Sequence, residues 1–149
     1  MRHLFNLILT LLIAVFSVTS FAGDAKPVNV QDAWVRATAP GQKVGAAYMT
    51  LAYDENITLV AADADVAETV EIHSMEMKNG VMKMRSLENL PIQAGKPTKL
   101  APNGLHLMLF DLKKPLKAGE KVELTLCFKN KNGEETHQTM TVPIKEFTR

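Results

Sequence analysis

The sequence predicts an all-β protein, an antiparallel sandwich or small barrel. Three observations carry this. Short runs of alternating apolar and polar residues recur along the chain, turn dipeptides stand between them, and only one stretch, Ala61 to Glu68, competes as a helix. That stretch is too short and too acidic to hold a helix. Many short strands at this spacing are the pattern of sandwiches and small barrels.

The elements follow in order. Strands are expected at Val28–Arg36, Gly45–Tyr53, Ile57–Ala62, Thr69–Met77, Val81–Leu87, Lys99–Ala101, Leu105–Leu112, Lys121–Lys129 and Thr136–Ile144. The turns are Pro40-Gly41, Asn79-Gly80, Pro102-Asn103-Gly104, Ala118-Gly119 and Asn132-Gly133. Asn-Gly is the strongest short-range hairpin signal, because both of its residues accept positive φ. No internal repeat, linker or low-complexity tract interrupts the series.

Ahead of the strands lies a different kind of segment. Met1-Arg2-His3 is a short basic start, Leu4 to Val18 is apolar apart from Asn6, Thr10 and Ser17, and Ser20-Phe21-Ala22 is a small-x-small cleavage pattern. That order reads as a secretory signal peptide over residues 1–22. The run is short for a membrane span of about 20 apolar residues, and no other segment is long and apolar enough. No cysteine follows the expected cut, which speaks against a bacterial lipid anchor. Cleavage after Ala22 leaves 149 − 22 = 127 residues, one exported domain over 23–149.

Composition excludes several function classes. The signal segment holds one formal positive charge, Arg2, and no acid, so the net charge falls from 17 − 16 = +1 to 16 − 16 = 0. Nothing here draws the protein to nucleic acid or to an anionic membrane, and a soluble exported monomer is expected. The single Cys127 cannot form an intramolecular disulfide, although an oxidising compartment would allow one. There is no Gly-x-Ser-x-Gly and no His-Glu-x-x-His, so a hydrolase has only generic carboxylates to work with. The chain is read as non-enzymatic.

Chemistry concentrates between Glu71 and Phe110, which contains five of the eight methionines and two of the four histidines. Side chains alternate across a strand, so i and i+2 share a face. Leu105, Leu107 and Leu109 therefore point to the core, while His106 and Met108 project from the opposite face. In the Thr69–Met77 strand, His73, Met75 and Met77 share a face opposite Val70 and Ile72. The Asn79-Gly80 turn then returns a strand with Met82 and Met84 on one face. If these strands lie together, imidazoles and thioethers converge.

The donor type selects the metal. Thioether sulfur is soft, neutral and polarizable, and with imidazole it favours Cu(I) over Zn, Mg, Ca or Mn. Zinc sites use thiolate, imidazole or carboxylate. Taken singly, a methionine is more commonly a flexible core filler and a histidine a hydrogen-bonded residue. Two His-x-Met units with their donors on one face outweigh that reading. His137 and Met140 lie three apart, on opposite faces of their strand, and are read as structural or surface residues.

His73, ten residues, Met84, twenty-one residues and His106-Leu107-Met108 together match the H-x10-M-x21-H-x-M signature of the PCuAC family of periplasmic copper chaperones, which this chain resembles. Ala33–Gly41, Ala46–Leu51, Gly80–Arg85 and Leu100–Leu109 agree with the surrounding family text, and the likeness runs from Val28 to Val142. The resemblance implies a cupredoxin-like Greek-key β-sandwich holding one Cu(I) through His73, Met84, His106 and Met108. It implies copper delivery toward the CuA centre of cytochrome c oxidase, with the CuA subunit or a Sco-type thiol protein as partner. Met75 matches a neighbouring donor position. The chain lacks the His/Met-rich tail of some members, so a Cu(II) site of that kind is not expected.

Three other readings compete. A copper storage or resistance protein would use the same donors. An electron-transfer cupredoxin would use Cys127, His137 and Met140, which occur in the expected order. Nine residues between Cys127 and His137 make a loose loop for blue copper, and the apolar face Val122, Leu124, Leu126, Phe128 excludes Cys127. A plain exported interaction domain would bury its methionines instead. For the copper reading, imidazole must be neutral to bind, so affinity should fall with pH near the ordinary histidine value of about 6.5.

Overall fold

The computed structural model describes residues 26–147, so the expected signal peptide lies outside the described residues. Among the described residues ten strands make up the fold: β1 (Asn29–Arg36), β2 (Gly45–Ala52), β3 (Ile57–Ala64), β4 (Thr69–Lys78), β5 (Val81–Leu87), β6 (Leu90–Ile92), β7 (Thr98–Leu100), β8 (His106–Phe110), β9 (Lys121–Asn130) and β10 (Glu135–Lys145). They hydrogen-bond in the order β5-β4-β8-β2-β1-β10-β9-β3-β6, and β7 pairs with β2. A further β3–β4 pairing, Ala62 with Val70, closes the sheet on itself. Every interface is antiparallel except β1–β10, which is parallel. The all-β fold expected from the strand pattern, and the cupredoxin-like β-sandwich implied by the resemblance, is the fold found, with its sheet closed into a barrel.

The expected strand bounds shift by a residue or two, as strand ends commonly do. Ala61–Glu68 is no helix: β3 runs through Ala64 and a turn follows. The sequence reading missed β6, which pairs with β3 through Leu59↔Leu90, Thr58↔Pro91 and Ile57↔Ile92. Pro91 hid it, because proline is kept to edge strands, and β6 ends the sheet.

Alternation fills the barrel. Val35, Ala47, Leu51, Leu59, Leu107, Leu109, Leu116, Val122, Leu124 and Leu126 are fully buried, with Phe128 among them. One irregularity re-aims a strand. Gln31 pairs with Thr50 but Trp34 with Tyr48, so β1 carries one extra residue, and Asp32 takes a positive φ of 51° there. Such a bulge twists a strand and redirects its side chains. Beyond it Val35 enters the core while Trp34 packs on Tyr48, ring centres 4.7 Å apart, on the outer face.

Candidate metal centre

Strand order places the donors. β8 lies between β4 and β2, and β5 flanks β4. Register then aligns them: His73 opposes His106, Glu71 opposes Met108, Met75 opposes Met84, and Met77 opposes Met82. Directly opposed residues have Cβ atoms about 4.5–5.5 Å apart on one face. The β4–β5 register follows from the turn. Asn79 and Gly80 both take positive φ, 52° and 75°, so a two-residue turn joins Lys78 to Val81.

All these donors leave the sheet on its outer face, opposite Ile72, Leu107 and Leu109. The histidines are buried nonetheless, His73 at 9% and His106 at 4% exposure. A cleft of about 520 Å³ is lined by Met75, Met84, His106 and Met108, with Tyr48, Ala46, Arg36, Pro102, Asn103 and Phe147 around them. Arg36 lies 4.6 Å from the centre of the Phe147 ring, a cation–π contact that ties the chain's end to the cleft. Met84 remains 48% exposed, so the cleft opens beside β5.

His73 sits behind this wall, its ring centre 5.9 Å from that of His106 and 5.9 Å from Phe110. Two imidazoles sharing one ion at metal–nitrogen distances of about 2.0 Å place their ring centres roughly 5–6 Å apart. The pair is already at that separation.

Each ring has its tautomer set by a partner. The Gly104 carbonyl lies 2.9 Å from His106 Nδ1. A carbonyl only accepts, so Nδ1 carries the hydrogen and Nε2 keeps a lone pair. The same carbonyl accepts the Met75 backbone N–H at 3.2 Å, which holds the 102–104 loop against β4. Glu71 Oε2 lies 2.8 Å from His73 Nε2. The carboxylate accepts the Nε2 hydrogen, leaving Nδ1 as the free donor atom. That Nδ1 is buried without a hydrogen-bond partner. Buried polar atoms are rarely left so, and outer partners of this kind orient metal-binding histidines. Two lone pairs are preset beside thioethers. This set fits a soft monovalent ion.

The four residues given by the resemblance, His73, Met84, His106 and Met108, lie on adjacent strands with Met75 directly across from Met84. Met77 and Met82 form the next rung toward the hairpin tip, 66% and 40% exposed. The blue-copper arrangement is not assembled. Cys127 and His137 oppose each other, but Met140 packs against the core on the other face. Sequence reasoning missed that Cys127, Glu135 and His137 meet on the far side of the barrel.

The family described as "Putative lipoprotein LpqE-like" matches residues 28–144. "Putative lipoprotein Lxx21020" of Leifsonia xyli subsp. xyli is 32% identical over 126 residues, covering 84% of this chain and 74% of that one. Among solved structures, the solution structure of CuI-DR1885 from Deinococcus radiodurans is 35% identical, covers 87% of this chain and 85% of its own, and has a TM-score of 0.58. The copper-bound PCuAC domain from PmoF2 has the same fold at 20% identity, with a TM-score of 0.63 over 80% of this chain and 92% of that domain. With its β-barrel that of PCuAC domains and the match running from β1 to β10, the chain belongs to the LpqE-like family.

Proposed function

We propose that the protein is an exported, non-catalytic copper chaperone that carries one Cu(I) on His73, Met84, His106 and Met108, with Met75 as an adjacent donor. The observation that carries this is the buried, unpartnered Nδ1 of His73, a residue directly opposed to His106 on the sheet face that also carries Met75, Met84 and Met108. Support comes from the similar protein DR1885, which has been solved with Cu(I). The word lipoprotein in the relatives' names accords with export, and the one cysteine here stands within β9.

The donor set suits a carrier. Imidazole and thioether are neutral, so the bound ion keeps its charge. An acceptor offering thiolates gains by charge neutralisation what this site withholds. Exposed Met84 marks the side from which such an acceptor reaches the ion. In the periplasm the recipient is read as the CuA subunit of cytochrome c oxidase or a Sco-type thiol protein.

The test is an anaerobic Cu(I) titration of the purified protein against a chromogenic chelator, with native mass spectrometry and His106→Ala in parallel. One equivalent that outcompetes the chelator and is lost in the variant is the expected result. Two or more tight equivalents would favour storage, with the Met77–Met82 rung as the place for the second. No competition with the chelator would sink the copper reading. Transfer from loaded protein to an apo CuA domain, followed by its absorbance, checks the recipient.

A further inference from the structure

On the opposite side of the barrel, β9 and β10 hold a cluster with a different chemistry. Cys127 and His137 are directly opposed, and Glu135 opposes Lys129 one rung away. Leu126 and Phe128 point into the core, so Cys127 turns outward with Lys129. Its Sγ lies 3.8 Å from His137 Nε2 and 4.0 Å from Glu135 Oε2. All three potential ligand atoms lie within 4.8 Å of one another. The other Glu135 oxygen, Oε1, takes the Lys129 ammonium at 2.9 Å, which fixes the carboxylate with Oε2 toward the thiol.

We propose that Cys127, Glu135 and His137 form a second metal site, for a divalent cation of the zinc class. Thiolate, imidazole and carboxylate are zinc's ligands, and three protein ligands with water in the fourth position is a common arrangement. With metal–sulfur distances of about 2.3 Å and metal–nitrogen or –oxygen distances of about 2.0 Å, a tetrahedral site has edges from sulfur of roughly 3.5 Å. The observed 3.8 and 4.0 Å need only small side-chain motions to close. Thiolate and carboxylate together supply two negative charges, one of them offset by the Lys129 ammonium on Glu135 Oε1, so the site stays net negative toward a dication. Ala61, paired to Cys127 from β3, is small and exposed.

Binding replaces the thiol proton by the metal: the S–H bond breaks, a sulfur–metal bond forms, and one proton passes to the buffer. A nucleophilic or redox role fits less well. Cys127 is 6% exposed, and reactive thiols are accessible and electropositively surrounded, whereas this one faces a carboxylate. The copper cleft contributes none of these ligands, so this site stands or falls without the copper reading.

The test is an anaerobic titration of the purified protein with Co(II), then Zn(II). One equivalent of Co(II) should produce sulfur-to-cobalt charge-transfer absorption, and Zn(II) should bleach it. Cys127→Ser should abolish the band, and His137→Ala should weaken Co(II) binding by about tenfold or more. Neither should change the circular dichroism of the barrel. His106→Ala, at the other site, should leave the band intact. No charge-transfer band, or a band that survives Cys127→Ser, would overturn the proposal. So would Co(II) binding that responds to His106→Ala and not to His137→Ala. His137→Ala keeps the thiol and decides the matter should the serine variant not fold.

Discussion

Glu71→Gln isolates what the carboxylate does for His73. Glu71 Oε2 stands 2.8 Å from His73 Nε2, and the Glu71 side chain is 42% exposed while that of His73 is 11%. Glutamine can still accept the Nε2 hydrogen through its amide oxygen, so the tautomer and the ring position survive. What is lost is the charge, and charge-assisted hydrogen bonds are roughly twice as strong as neutral ones. Mutating such outer partners costs 10–100-fold in metal affinity. Solvent at the half-exposed carboxylate screens the effect toward the lower end, about tenfold, equivalent to about 1.4 kcal/mol. Apo stability should hardly move, because the exchanged bond remains. Glu71→Leu is the contrast: it leaves a buried Nε2–H unpaired and should cost about 1–3 kcal/mol of folding free energy as well. Chelator competition reads affinity and urea unfolding reads stability. Unchanged Cu(I) affinity in Glu71→Gln would refute the assignment of His73 Nδ1 as a ligand atom held by Glu71.

Three further outcomes are expected. Met108→Leu nearly conserves volume, costs less than about 1.5 kcal/mol of stability, and weakens Cu(I) binding; equal affinity would remove Met108 from the site. Gly80→Ala places a Cβ at φ 75° with no atom within 4 Å, so only backbone strain opposes it. It should destabilise the protein by about 1 kcal/mol, with a lowered melting temperature as the readout and Met84 misplaced against Met75. Burial pushes the Cys127 thiol above its ordinary range, and the Glu135 charge adds to this. Because the folded thiol binds its proton more tightly, that contribution to stability is full below the ordinary thiol value of about 8.5 and is lost as pH rises through the folded value. Alkylation of Cys127 by iodoacetamide at about pH 8.5 should therefore run slower than that of a small free thiol, and equal rates would count against a buried thiol.

How far the molecule was legible in its sequence depended on which contacts were local. Alternation alone put Leu107 and Leu109 inward and His106 and Met108 outward, since period two is intrinsic to a strand. Asn79-Gly80 set the β4–β5 register, so the Met75–Met84 and Met77–Met82 rungs were readable. The insertion of β8 between β2 and β4 was not, because pairing between strands distant in sequence leaves no local mark. The burial of His73 and His106 was hidden for the same reason: the 102–104 loop and Phe147 reach the outer face through tertiary contacts.

The Cys127 cluster turns on a single residue of loop length. Had Asn132-Gly133 been a two-residue turn, Lys131 would pair with Glu134, Cys127 with Gln138, and His137 would leave on the opposite face. The loop instead spans 131–133. Asn130 N–H donates to the Glu134 carbonyl, Gly133 N–H donates to the Asn130 carbonyl, and Gly133 takes φ 83°. Three-residue hairpin loops end in such a left-handed residue. Asn130 Oδ1 accepts the N–H groups of Asn132 and Glu134, which fixes the longer loop from within. A one-residue slip flips every side chain of a strand to its other face. The longer loop therefore sets His137 opposite Cys127, and Glu135 two residues back shares their face. Reading along β10 separated His137 from Met140 correctly. Only counting across the hairpin, with Asn130 recognised as the residue that closes the loop, brings the thiol, the imidazole and the carboxylate together.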